Sequence, residues 1–281
     1  MAAADAEAAD GQSGKESTTK AVEGMTVIVR AEVLQQVVDQ LLTVVDEAIF
    51  RIGYDGLAVA AVDPANVGMV ELEVEPGAFE SVGDGMFPIG LNLQKLDDYI
   101  DGASGGDPVE LSYRPETRSI DIEHTNVEVE MSGIDPDAIR GEPDVPDLDP
   151  SVEFTADAGV FRDAVENAEL VSDHVEFEAV VDDQALVVSG LGDTDKIETV
   201  LDSDDLPKAN FESDATSLYS LPYLVGGSTQ GGKYKGLLKP LNRDTDLRVE
   251  FSEEMPVKMH YDFAEGFGHV TVMLAPRVQS R

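Results

Sequence analysis

Apolar positions along this chain change period repeatedly, and the changes mark out strands and helices. The segment TVIVRA (26–31) alternates as a half-buried strand does. EVLQQVVDQLLTVVDEAIF (32–50) places Leu34, Val37, Val38, Leu41, Leu42 and Val45 at helical spacing and predicts one amphipathic helix. GLAVAAVD (56–63) and GMVELEV (68–74) predict strands, and GLNLQKLDDYIDGA (90–103) predicts a short amphipathic helix. PVELSYRPETRSIDIEH (108–124) reads as two alternating strands around a turn, and VEVEMSGI (127–134) as a further strand.

The same order then returns. SVEFTA (151–156) predicts a strand, and GVFRDAVENAELV (159–171) a helix with Val160, Phe161, Ala164, Val165 and Ala168 on one side. HVEFEAV (174–180), ALVVSGL (185–191) and KIETVL (196–201) follow as strands. LYSLPYL (218–224) predicts the start of a helical stretch. DLRVEFSEEMPVKMHYDF (246–263) repeats the strand, acidic turn, strand layout of 108–124, and VTVMLAP (270–276) is the last strand. Two copies of one unit, each a sheet with two helices on one face, account for this order. The fold class is therefore α+β: two similar domains of antiparallel sheet with two helices each, over residues 25–140 and 151–281.

Between the copies lies EPDVPDLDPS (142–151), with three prolines and four acids. Proline lacks the N–H that a helix or central strand needs, so residues 141–150 are expected as an extended, exposed connector. It still carries Val145 and Leu148. Residues 1–24 are small, polar and aperiodic, and are expected to be a disordered tail, with Met25 as an alternative start.

Composition narrows the class. The chain has 281 residues and 42% hydrophobic content, enough for two ordinary domains. No apolar run approaches the roughly 20 residues of a membrane span, and no secretory signal pattern is visible. The absence of cysteine excludes disulfides, zinc-thiolate sites and thiol catalysis, and fits a cytoplasmic protein. The 57 acids against 19 lysines and arginines give a formal charge of −38, interleaved with aliphatic residues rather than blocked. This is the surface of a folded protein in molar salt, where a Debye length of about 3 Å screens self-repulsion. Basic partners are the rival explanation, and composition alone argues against binding DNA.

Candidate chemistry is sparse. GSTQGGK (227–233) has phosphate-loop spacing, but Tyr234 stands where Ser or Thr would ligate magnesium, so a flexible insertion is the simpler reading. His124, His174, His260 and His269 show no metal-site spacing, and no metal site is expected. Asp97–Asp98, Asp182–Asp183 and Asp204–Asp205 fit a solvated face better than acid–base chemistry. No catalytic residue and no cofactor are expected.

AVDPANVGMVELEV (61–74), EPDVPDLD (142–149) and MLAPRV (273–278) resemble the archaeal DNA sliding clamps of the proliferating-cell-nuclear-antigen family, of haloarchaeal type, and the likeness runs from Met25 to Arg281. VGGSTQGGKYKG (225–236) departs from it, being about ten residues longer than such clamps usually carry. The resemblance implies the clamp fold in a closed homotrimeric ring around double-stranded DNA, with helices lining the hole. It also implies an apolar pocket for short peptides of DNA polymerase, flap endonuclease and DNA ligase, and loading by replication factor C. Val145, Pro146 and Leu148 match its connector rim, and Val62, Val67 and Met69 its floor. Pro256, Met273, Ala275, Pro276 and Val278 match the remaining wall. Subunits are expected to pair VEVEMSG against KIETVL, through Val127, Val129, Met131, Ile197 and Val200. Lys95, Arg162, Lys233, Lys235 and Lys239 are expected to face DNA. Such a protein is a processivity factor, cytoplasmic and associated with the nucleoid during replication. The alternatives are a monomeric acidic binding module and a nucleotide-binding enzyme using 227–233.

Overall fold

Twenty strands and four helices organise the computed structural model, which describes residues 24–141, 148–229 and 232–277. The first half runs β1 (Met25–Arg30), α1 (Ala31–Leu41), β2 (Glu47–Gly53), β3 (Gly56–Val62) and β4 (Gly68–Val74). It continues through β5 (Phe79–Val82), β6 (Met86–Asn92), α2 (Leu93–Ile100), β7 (Pro108–Arg114), β8 (Ser119–His124) and β9 (Val127–Ser132). The second half repeats this as β10 (Val152–Asp157), α3 (Ala158–Glu169), β11 (His174–Val180), β12 (Ala185–Leu191), β13 (Lys196–Leu201), β14 (Lys208–Phe211), β15 (Ala215–Ser220) and α4 (Leu221–Val225). A hairpin of β16 (Gly227–Thr229) and β17 (Gly232–Tyr234) intervenes before β18 (Asp246–Phe251), β19 (Val257–Phe263) and β20 (Gly268–Leu274).

The duplication extends to strand order. β5-β1-β7-β8-β9 in the first half corresponds to β14-β10-β18-β19-β20 in the second. β4-β3-β2-β6 corresponds likewise to β13-β12-β11-β15. The halves are joined where β20 pairs antiparallel with β4, from Gly268↔Val74 to Leu274↔Gly68, which makes one continuous nine-stranded sheet. The counterparts of that pair, β9 and β13, are edge strands of their own sheets.

Helix α1 buries Val33, Leu34, Val37, Val38 and Leu41, the stripe its spacing predicts. It stops at Leu41, short of the expected Phe50. The Thr43 hydroxyl donates to the Gln40 carbonyl at 2.6 Å and closes the last turn. Beyond it Ala48, Phe50 and Ile52 alternate inward along β2 and pair with β6. The apolar residues at 41, 42 and 45 fit a continuing helix by coincidence, and a period of two takes over after them. Gly90–Asn92, expected as helix, end β6, and the Asn92 side chain caps α2 by accepting from the Lys95 N–H at 2.9 Å.

In the second half Phe177 lies at the centre of the core. Its ring meets Phe161 at 5.4 Å, Tyr219 at 5.0 Å and Phe251 at 6.2 Å, tying α3, β11, β15 and β18 together. Truncating such a buried ring to alanine costs about 3–5 kcal/mol. Residues 215–220, partly expected as helix, form β15 against β11. Helix α4 lasts five residues and ends at Gly226, whose φ of 92° is closed to most side chains. The Leu237 and Leu238 amides then donate to the Tyr223 and Leu224 carbonyls at 2.8 and 2.9 Å. These bonds span 14 residues where a helix spans four, so the hairpin is a ten-residue insertion into what would otherwise be one helix. The helical stretch expected to begin within 218–224 starts at Leu221 and lasts five residues.

His269 of β20 sits at the seam, with Asp262 at 2.8 Å and Glu75 at 3.3 Å. The bond to Asp262, followed by that to Glu75, raises its pKa above the ordinary 6.5. A raised pKa stabilises the fold below the unfolded value near 6.5, and the gain disappears as pH rises through the folded value. The side chain is 44% exposed, so the gain stays below about 1 kcal/mol. His269→Gln is expected to lower the melting temperature at pH 5.5 and to match wild type at pH 9, checked by thermal melts at fixed salt.

Candidate functional site

The sharpest local structure is the β3–β4 turn, residues 63–67. Asp63 is fully buried, and its carboxylate holds the turn from inside. Oδ1 accepts the Val67 and Gly68 amides at 2.7 and 2.9 Å, and Oδ2 accepts the Ala65 amide at 3.1 Å. Pro64 suits the first turn position, and Asn66 takes a φ of 58°, which Asn tolerates better than most residues. DPANV is therefore a chemical requirement of this turn. A buried carboxylate must find several donors, and the turn amides supply three.

The turn sets an apolar patch at one end of the nine-stranded sheet. Val62 pairs with Met69, and Met69 with Met273. The Ala275 amide donates to the Val67 carbonyl at 2.8 Å, carrying the chain past β20 along the patch. Met69 and Met273 are largely covered, while Val62, Val67, Ala275 and Pro276 are half-exposed. Pro256 is half-exposed one residue before Val257, which pairs with Leu274. Leu148 lines a cleft of about 110 Å³ with Pro150, Phe251, Met255 and Pro256. The structure thus brings eight of the expected pocket residues to one region of the surface; Val145, Pro146 and Val278 lie outside the described residues.

Both ends of the connector are held beside this patch. Arg140 donates to the Asp63 carbonyl at 2.9 Å and also bonds the Asn66 side chain. At the other end the Ser151 amide donates to Ser252 Oγ at 2.8 Å. Sequence reasoning missed Asp63, Arg140 and Met255. Met255 stands directly before Pro256, and its 39% exposure is large for a methionine.

The five expected DNA-facing residues do not form one basic patch. Lys95 is exposed on α2. Arg162 is half-buried and donates to the Leu241 carbonyl at 2.5 Å. Lys239 pairs with Glu166 at 2.7 Å. Lys233 lines a different cleft, with Val44, Pro64 and Arg140. Lys235 is exposed near Asp39 of α1, whose carboxyl is raised above its ordinary range by burial and by Asp97, with Lys235 opposing.

Of the expected subunit contacts, Val127 and Val200 are exposed on edge strands β9 and β13, and Val129 and Ile197 are half-exposed. Met131 is buried in its own domain, so it is a core residue first. Leu170 and Leu191, absent from the expectation, are 76% and 71% exposed beside β13. Residues 227–229 pair with 232–234, and the described part of this segment opens no helix whose N-terminus could meet a phosphate. Among the described residues no three His, Asp or Glu side chains cluster as metal ligands, and no helix is long and apolar enough to cross a membrane.

Residues 26–136 match the family profile of the proliferating cell nuclear antigen N-terminal domain. The DNA polymerase sliding clamp of Natronomonas pharaonis is 43% identical over 253 residues, 90% of this chain and 98% of that one. That of Haloarcula marismortui is 42% identical with the same coverage. A solved structure of the C-terminal region of FEN-1 bound to A. fulgidus PCNA aligns with a TM-score of 0.81 at 29% identity, covering 92% of this chain and 100% of that one. With the duplicated sheets, the DPANV turn and the apolar patch, these likenesses lead to one conclusion: the chain belongs to the proliferating cell nuclear antigen family of DNA polymerase sliding clamps.

Proposed function

We propose that three copies of this chain close into a ring around double-stranded DNA and tether replication and repair proteins to it, as a processivity factor without catalytic activity of its own. The observation that carries this reading is the β4–β20 seam. Each chain has used one such pair to join its halves, and its duplicated partners β9 and β13 are left open. Repeating the seam between chains, β9 of one against β13 of the next, leaves no open edge when the ring closes. Val127, Val129, Ile197 and Val200 then meet across the joint, with Leu170 and Leu191 beside them.

A ring retains DNA by topology and does not need the counterion release that drives ordinary DNA binding. That removes the objection raised by the net charge of −38. Lys95 and Lys235, both exposed, supply weak phosphate contacts at the hole; Arg162 and Lys239 are already held by Leu241 and Glu166. The patch formed by Val62, Val67, Met69, Met273, Ala275, Pro276, Pro256 and Leu148, with Val145, Pro146 and Val278, receives the apolar plug of partner peptides. DNA polymerase, flap endonuclease and DNA ligase dock there, and replication factor C loads the ring. The FEN-1 segment bound to A. fulgidus PCNA supports this mode. The protein acts in the cytoplasm, at the nucleoid. A monomeric binding module would leave β9 and β13 unpaired.

Light scattering in about 3 M KCl, where charges are screened beyond roughly one bond length, is expected to give three times the 30.1 kDa chain mass. Val127→Asp with Val200→Asp should give monomers, and a wild-type monomer would refute the ring. The proposed joint brings Glu128 and Glu130 of β9 near Glu198 of β13, whose own Lys196 lies at 2.6 Å. Diluting salt to about 0.1 M lengthens the Debye length to about 10 Å, and both trimer mass and melting temperature are expected to fall.

Val145→Asp with Leu148→Asp is expected to abolish binding of a FEN-1 C-terminal peptide while leaving the trimer intact. Each charge would be buried against an apolar plug without a partner, at a cost of several kcal/mol. Unchanged affinity by fluorescence anisotropy would place the docking site elsewhere.

A further inference from the structure

The inserted hairpin has a use that its sequence does not announce. Its strand β17 carries Tyr234 back over α4, where the ring lies 4.0 Å from that of Tyr223, centroid to centroid, and is buried. The two phenol oxygens are 2.7 Å apart. Both reach the same carboxylate oxygen of Asp63, Tyr223 at 3.1 Å and Tyr234 at 3.3 Å. Burial, the Tyr234 hydroxyl and the Asp63 charge all push the Tyr223 phenol upward, so that phenol keeps its proton over the working pH range.

Asp63 is thus the meeting point of two structures. Its Oδ1 and one contact of Oδ2 hold the backbone of the 63–68 turn. The one remaining site of Oδ2 is met from the second half of the chain by the Tyr223–Tyr234 pair, whose two protons supply one bond between the phenols and one to Asp63. An ionised carboxylate accepts at about four sites, and a buried one left short of donors is costly. The turn presents Val67 at the apolar patch and, through its carbonyl, fixes Ala275 at 2.8 Å. Movement of Asp63 therefore moves both the floor and the wall.

We infer that Tyr234, and with it the inserted hairpin, is a positioning residue for the partner-peptide groove, bracing the 63–68 turn through Asp63. This rests on the docking reading above. The ends of the hairpin, Gly226 and Gly236, lie against each other, so closely that a side chain on Gly236 would run into the Gly226 nitrogen. Residues 226–235, the ten inserted residues, can thus be excised and Val225 joined to Gly236, which returns the Tyr223–Leu237 bond to a helical span of four.

The test compares wild type, Tyr234→Phe and the excision variant as trimers in high salt, using a fluorescent peptide of the FEN-1 C-terminal region. Tyr234→Phe keeps the ring and removes only the hydroxyl. Its Kd should rise about five- to tenfold, the net worth of one ordinary hydrogen bond, since the carboxylate keeps its other partners. The excision variant should lose at least as much. In the free trimers, amide exchange at Ala65, Val67 and Gly68 should quicken in both variants, while exchange in β11 and trimer mass stay as in wild type. A general loss of packing would instead speed exchange throughout. Peptide affinity within twofold of wild type in both variants overturns the inference, as does unchanged exchange at the turn. Wild type failing to bind the peptide would sink the docking reading instead, and the exchange data would still show whether Tyr234 holds the turn.

Discussion

The β4–β20 pairing is the constraint on which the rest of the molecule depends. Seven backbone pairs fuse the two halves into one nine-stranded sheet. The same pairing leaves two other strands, β9 and β13, as open edges of matching length, each six residues. Long open edges carrying valines are an aggregation hazard unless something covers them. Because the halves are duplicates, a surface fit to cover them is already encoded: under the proposed assembly it is the seam itself, repeated between chains. A duplicated domain that has used one of its two equivalent joints internally has the other free for a head-to-tail contact between chains, the kind from which rings are built.

Charge sets the conditions under which that ring can exist. Apart from Asp63, the acids among the described residues lie outside the core, and the few basic groups are mostly engaged: Arg243 with Asp163, Lys239 with Glu166, Arg248 with Glu153. Exposed pairs of this kind are worth little each and less in salt. Stability therefore comes from the buried sheets and from aromatic packing such as that around Phe177, and salt is required to silence repulsion rather than to strengthen attraction. Retention of DNA by encirclement suits such conditions, because it survives the weakening of each phosphate contact.

One buried carboxylate organises the opposite extreme, a place where electrostatics is strong. Asp63 gathers donors from the 63–68 turn, from α4 and from the inserted hairpin, while Arg140 ties the same turn to the start of the connector. The docking patch is apolar where a peptide would lie and polar underneath, so that its shape is held by hydrogen bonds that no peptide needs to make. The insertion, which looks like a loop of no consequence, adds one of those bonds.

The sequence by itself determined many local elements where one period ruled: most strands, the buried stripes of α1 and α3, and the duplication were legible, although β2 and β15, which also alternate, were read in part as helix. DPANV was legible as a motif, and the turn shows the backbone demand behind it; the expected connector lies mostly outside the described residues. Residues 41–50 misled because their apolar positions satisfy both periods, and only the partner strand β6 decides between them. The hairpin at 227–234 and the early end of α4 were obscured by glycines, which permit many conformations and specify none. Tertiary structure alone decided that Arg162 and Lys239 are occupied, that Met131 is core, that Leu170 and Leu191 are bare, and that Tyr234 reaches a carboxylate 171 positions away. Periodicity reports which face of an element is buried, but the partner that buries it is chosen by contacts between residues far apart in the chain, and those have no local signature.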